Sequence, residues 1–265
     1  MQLLAIPWNV DPEIVSIGKL SIRYYGLFFA TAFVLGYLIF TKIFKNEGIS
    51  VEVLDRLTIY MVVGTVIGAR LGHVFFYQPE FYLEHPLEIL AIWHGGLASH
   101  GAAIGIIIAL YLFTRKEKKP FIWILDRIVI AVALAGFFIR MGNLMNSEIY
   151  GITTDLPWGF IFLRHPTQIY EALAYLFIFF FLFSHYFRNK GKIRPGFLFS
   201  MFLILVFLAR FLIEFLKEVQ VGWEKGMALN MGQILSIPFI ALGIYILLRS
   251  LKRKPEKLNL AGKKK

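Results

Sequence analysis

Cysteine is absent from the 265 residues, which excludes disulfides, thiolate metal sites and a thiol nucleophile belonging to the protein itself. Metal-binding spacings are lacking too. None of the 6 histidines stands in a His-Glu-x-x-His pair, and His94 and His100 fall in a glycine-rich turn. No metal or cofactor is expected. Charged residues make up only 17% of the chain, and no stretch has the mixed polar pattern of a soluble domain. The first residues hold Asp11, Glu13, Lys19 and Arg23 and lack a short apolar core with a small-residue cleavage site, so no cleaved signal peptide is expected. Internal repeats are also missing.

What is abundant is apolar surface. Hydrophobic residues are 58% and aromatic residues 17%, with a mean hydropathy of +0.66. A bilayer solvates that much apolar surface and water does not. Long apolar runs cover 24–41, 57–77, 97–113, 121–140, 168–187, 197–216 and 232–250. A helix of about 20 residues crosses a hydrocarbon core of about 30 Å. The expected fold is therefore all-α: a polytopic integral membrane protein with about seven transmembrane helices in a single domain over 1–265. The third run opens on Gly95-Gly96-Leu97-Ala98-Ser99-His100-Gly101, a re-entrant candidate, because irregular backbone at membrane depth survives only where protein or water satisfies it.

The net charge of +11 comes from 28 basic residues set against 17 acidic ones. They lie in short runs between apolar spans rather than in one patch interleaved with aromatics, which argues for membrane topology and against nucleic acid. Segments 41–56, 114–120, 185–196 and 249–265 hold three, four, four and eight Lys and Arg, whereas the alternate segments together hold five. The positive-inside rule then places the N-terminus outside and the C-terminus in the cytoplasm, with 251–265 as a basic tail.

Four arginines fall inside the apolar runs. Arg127 is near the start of its run and can snorkel to the interface. Arg70 and Arg210 each lie 13 residues into theirs, about 20 Å along a helix, and Arg140 closes its run. An unpaired arginine there costs roughly 2.5 to 3.5 kcal/mol on insertion scales. Ion pairing with a near neighbour, Glu214 for Arg210 and Glu148 for Arg140, is the structural explanation. Three arginines at one depth on three helices point instead to an anion site, since guanidinium holds phosphate in a bidentate fork. Tyr25, His100, the segment Arg140 to Gly151, the segment His165 to Glu171, and Asn230-Met231-Gly232-Gln233 gather at the same outer face. Read from the residues alone, this is a membrane enzyme or carrier handling a phosphate-bearing lipid. A transporter would favour inverted repeats and an intramembrane protease a Ser–His pair or paired aspartates, and neither pattern is present. His73, His85 and His185 read as structural, and His165 as a brace for the loop it ends.

Taken together these motifs resemble a known family, the bacterial prolipoprotein diacylglyceryl transferases. The resemblance rests on Arg140 to Gly151, with its arginine, two asparagines, glutamate and glycine in order. It extends over Arg23-Tyr24-Tyr25-Gly26, Gly68-Ala69-Arg70-Leu71-Gly72, Trp93 to Gly101, His165 to Glu171, Arg210-Phe211 with Glu214-Phe215, and Met231 to Pro238. Departures are Ile139 before the signature arginine, Val206 in the sixth run, and Lys217-Glu218-Val219 in place of a more usual Arg-x-Pro.

The resemblance implies transfer of a diacylglyceryl group from phosphatidylglycerol to the thiol of a lipobox cysteine in a preprolipoprotein. It implies a bacterial inner membrane location, an extracytoplasmic active site, and a monomer without a cofactor. It implies catalytic roles for His100, Arg140 and Arg210, and substrate-binding roles for Tyr25, Arg70, Asn143, Asn146, Glu148, Gly151 and Glu214. His100 is either the general base for the thiol or a residue that positions lipid while the arginines and the phosphate tune the thiol.

Overall fold

The structure is a computed structural model that describes residues 8–18, 20–160, 163–218 and 227–256. It is mostly helical. An N-terminal hairpin, β1 (Glu13–Ile17) and β2 (Leu20–Arg23), is followed by α1 (Tyr24–Glu47), α2 (Val51–Phe76) and the short α3 (Pro79–Glu84). Two 3-10 turns over 86–94 lead into α4 (Ser99–Lys116), and then come α5 (Phe121–Met145), α6 (Thr167–Arg188), α7 (Phe197–Glu214) and α8 (Met231–Leu251). Among the described residues 6 helices are long and apolar enough to cross a membrane: α1, α2, α5, α6, α7 and α8. The third predicted run forms α4, whose 18 residues carry His100 at one end and Arg115 and Lys116 at the other. These polar ends hold its mean hydropathy below that of the other six.

The hairpin departs from the all-α expectation. Its strands are rich in β-branched residues, and the cross-strand pair Glu13↔Arg23 is closed by an ion pair of 2.9 Å. Of the expected basic tail, α8 ends at Leu251 and Glu256 pairs with Ile193, while 257–265 lie outside the described residues.

The chain divides into two compact units. The first comprises 1–43 and 125–265, and so holds most of α1 and α5 with α6, α7, α8 and the hairpin. Within it, buried Asp126 on α5 accepts from the backbone N–H of Gly196 at 2.7 Å and of Phe199 at 2.9 Å. It thereby caps α7 from another helix, doing what a local N-cap side chain would do. Phe207 of α7 stacks on Phe239 of α8 at 4.3 Å. Asn230 and Gln233 form a capping box that starts α8.

The second unit, 44–124, is built around α2 and α4. Gly64, Gly68 and Gly72 face Gly101, Gly105 and Ala109, so the two backbones touch. A Cβ added at Gly68 would lie 2.4 Å from the Gly101 carbonyl, and one at Gly105 would lie 2.1 Å from that of Gly64. This is the small-residue packing that helices use in lipid, where no hydrophobic effect drives them together. The Lys- and Arg-rich ends of this unit are tied by Arg56–Glu117 at 2.8 Å and by Trp123 donating to Glu47 at 2.9 Å.

Candidate functional site

In the first unit the ends of α5, α6 and α7 and the start of α8 bring charged side chains together. Arg140, just over one turn before the end of α5, lies with Nε 2.9 Å from Oε2 of Glu171, a fully buried carboxylate on α6. Its Nη1 donates to Asn143 Oδ1 at 3.0 Å, and Asn143 Nδ2 donates in turn to Glu148 Oε1 at 2.7 Å. Asn146 Nδ2 donates to the same oxygen at 3.3 Å. Tyr25 packs its ring against Gly142, where a Cβ would come within 2.7 Å, and its hydroxyl feels the charges of Arg140 and Glu148. The neighbour expected to pair with Arg140 was Glu148. The structure gives that role to Glu171 and makes Glu148 the far end of an asparagine relay.

The loop that carries Glu148 is held in an uncommon conformation. Ser147 and Ile149 both have positive φ, 52° and 59°, which strains the β-branched Ile149 most. Four contacts hold it there. Gln168 Nε2 donates to the Glu148 carbonyl at 2.6 Å, and Thr167 Oγ1 donates to that of Ile149 at 2.8 Å. Trp8 Nε1 donates to Ser147 Oγ at 3.1 Å, and Gly151 N–H donates to the His165 carbonyl at 2.9 Å. Gly151 contributes by being small, since a Cβ there would meet the Leu216 carbonyl at 2.4 Å. Its part is to let the loops around 151, 165 and 216 cross.

Lys217, just past α7, donates to Glu171 Oε1 at 2.9 Å and to Glu214 Oε2 at 3.2 Å. The Glu214 carboxylate also lies against Gly232 in the first turn of α8, whose N-terminus favours negative charge. The expected Arg210–Glu214 pair does not form: Arg210 has no hydrogen-bond or ion-pair partner among the described residues. It is half-buried, and its charge and that of Arg140 both act on Tyr175 of α6. Of the two guanidinium groups, that of Arg140 is anchored by a carboxylate and that of Arg210 has none among the described residues.

Arg70 and His100 belong to the second unit. Arg70, 4% exposed, donates Nε to the Ile89 carbonyl at 2.9 Å and Nη1 to those of Gly95 at 2.6 Å and Gly96 at 3.2 Å. Its Nη2 donates to the carbonyls of Glu88 and Ala91, and the guanidinium lies over Tyr82 at 5.0 Å. Five N–H donors meet five carbonyls, so every donor of the side chain is used by one loop. His100 opens α4, exposed, with its ring stacked on Tyr77 at 5.8 Å and edge-on to Phe76 at 5.4 Å. His73 stacks on Tyr77 at 5.4 Å.

Sequence reading missed Tyr175 and gave no role to Gln168 and Glu171, seen only as part of the His165–Glu171 segment, or to Lys217. Glu171 and Lys217 carried a usable signal: a carboxylate one turn into an apolar run and a lysine just past another each require a partner. No local pattern marks Tyr175 or Gln168.

A family model described as prolipoprotein diacylglyceryl transferase matches residues 12–249. Among curated proteins, the chain is similar to one from Tolumonas auensis, 48% identical over 254 residues that cover 93% of this chain and 98% of that relative. It is similar to one from Chloroherpeton thalassium, 45% identical over 253 residues (93% and 94%), and to one from Porphyromonas gingivalis, 42% identical over 269 residues (93% and 95%). All three are named phosphatidylglycerol--prolipoprotein diacylglyceryl transferase.

Proposed function

The chain belongs to the prolipoprotein diacylglyceryl transferase family and is a transferase of lipoprotein maturation, and on that premise we propose how its own residues carry the reaction. The donor is phosphatidylglycerol and the acceptor is the cysteine thiol of a lipobox peptide. The thiolate sulfur attacks the glyceryl carbon and a C–S bond forms. The C–O bond to phosphate breaks, and its electron pair leaves with glycerol phosphate.

Charge therefore builds on phosphate oxygens, and the observation that carries our reading is the buried chain Arg140–Glu171–Lys217–Glu214, which joins the end of α5 to the end of α7, one turn from Arg210. Arg140 is held in place by Glu171 and Asn143, so it meets the phosphate without reorganising. Arg210, free of any carboxylate among the described residues, takes the remaining negative charge. Asn146, Tyr25 and Glu148 offer hydrogen bonds to the glycerol headgroup or to the peptide. Glu214 orients its cationic neighbours. Arg70 is reassigned: with its donors saturated, it holds the 88–96 loop and leaves the phosphate to the other two arginines. His100 is the candidate base for the thiol, whose unperturbed pKa is about 8.5.

The same reading takes both units as one membrane domain in a bacterial inner membrane, with seven spans, the N-terminus outside and the site toward the extracytoplasmic face. It is supported by the distribution of Lys and Arg and by the site residues, which cluster at the ends of helices joined by Lys- and Arg-poor loops.

The test is a transfer assay with purified protein, phosphatidylglycerol and a lipobox peptide carrying cysteine or serine. The expected result is one diacylglyceryl unit added to the cysteine peptide alone, with glycerol phosphate released. Arg140→Ala and Arg210→Ala each abolish transfer while the protein still inserts; near-wild-type turnover by either removes the phosphate clamp. His100→Gln loses most activity near neutral pH and recovers as pH rises above the thiol pKa. A loss that stays constant with pH assigns His100 to positioning instead.

A further inference from the structure

We infer that Lys217 is a positioning residue whose task is to keep Glu214 off Arg210, so that the phosphate of the lipid finds an uncompensated guanidinium. The inference rests on the reading of Arg210 as a phosphate ligand. Arg210, Glu214 and Lys217 lie at i, i+4 and i+7 along α7 and the turn that follows it, close to one line on the helix surface. A carboxylate one turn beyond an arginine ordinarily pairs with it. Here it does not. Glu214 turns toward Lys217 at 3.2 Å and toward the N-terminal turn of α8, where its carboxylate occupies the space a side chain at Gly232 would need.

Lys217 has the burial and the partners for this task. Its side chain is 4% exposed and bridges two carboxylates, Glu171 and Glu214. Its backbone is fixed opposite Gly151 in an antiparallel bridge, so the ammonium group is set by the outer loops rather than by α7 alone. One cation therefore holds both carboxylates. Without it, Glu171 keeps Arg140 but Glu214 has no positive partner among the described residues, and the next cation along α7 is Arg210, one turn back. An Arg210–Glu214 pair would compete with phosphate for the same donors. The predicted signature is a defect in lipid binding rather than in chemistry, because Lys217 touches no reacting atom.

The experiment measures KM for phosphatidylglycerol and kcat separately, in Lys217→Met, Lys217→Arg and the double variant Lys217→Met with Glu214→Gln, beside Arg210→Lys. Lys217→Met raises KM about tenfold with a smaller change in kcat. Lys217→Arg restores KM, since a guanidinium reaches the same carboxylates. The double variant has a lower KM than Lys217→Met, because its neutral amide no longer competes for Arg210. It also keeps the measurement available if the single variant folds poorly, since it buries one unpaired charge fewer. A wild-type KM in Lys217→Met overturns the inference, and so does a double variant no better than the single one. A wild-type KM in Arg210→Lys overturns the reading of Arg210 itself. An impaired Arg210→Lys beside an unaffected Lys217→Met overturns the role of Lys217 alone.

Discussion

At the scale of single residues, the four intramembrane arginines have the same cost of burial and different ways of meeting it. Arg140 uses a buried carboxylate, Arg70 uses five carbonyl oxygens, Arg127 lies over the ring of Tyr186 at 5.8 Å, and Arg210 has no hydrogen-bond or ion-pair partner among the described residues. Arg70 makes the sharpest residue-scale prediction. Arg70→Ala removes a buried guanidinium and strands the five carbonyls that face it, each worth about 1 kcal/mol or more when left unmade. The expected outcome is a stability loss of roughly 3 kcal/mol or more, read as a lowered melting temperature in detergent and faster proteolysis within 86–98. Protein of this variant that does fold keeps its KM for phosphatidylglycerol. A raised KM with normal loop protection would return Arg70 to the phosphate. The sequence showed that these arginines sit in lipid and therefore need partners. It could not show which partners, because Glu171 and the 88–96 carbonyls come from segments 31 and 18 or more residues away.

At the scale of elements, the apolar runs located all seven long helices, because length and hydropathy are summed over many residues and survive local exceptions. The helix ends are longer than the runs, as with α1 reaching Glu47 and α5 reaching Met145, since amphipathic ends extend past the hydrocarbon. The hairpin and the 3-10 turns were not legible as such. Their patterns are four or five residues long and were overshadowed by the spans beside them. The glycine stripe of α2 and α4 was present at every fourth position, but only the contact between the helices shows that it faces a partner. Gly68→Leu or Gly105→Leu forces the backbones apart and costs about 2 kcal/mol or more, as overpacking does elsewhere. The check is the melting temperature of each variant. Because α2 and α4 also carry Arg70 and His100, activity is expected to fall with stability rather than before it.

At the scale of the whole molecule, the decisive quantity is how many helices cross, because each crossing reverses the side on which every later residue lies. α4 decides between six and seven. Its apolar middle is 18 residues less its polar ends, short for a bilayer, yet its contact with α2 along the glycine stripe gives it the same inclination as a helix that spans. A chain without cysteine supplies its own clean background for the measurement. Single cysteines at Glu84, Lys118, Asp155 and Lys190, all exposed, are labelled in intact cells with a thiol reagent that does not cross membranes. With seven spans, Glu84→Cys and Asp155→Cys react from outside, whereas Lys118→Cys and Lys190→Cys react only after the membrane is opened. If α4 fails to cross, Glu84→Cys and Lys118→Cys react on the same side. Arg140 would then lie at the opposite face from the one the charge bias assigns, unless the chain inverts at its start. That result would place the arginine pair at the cytoplasmic leaflet and would require both substrates to be met there. The sixteen Lys and Arg of 114–120, 185–196 and 249–265 weigh against it, because all of them would then lie outside.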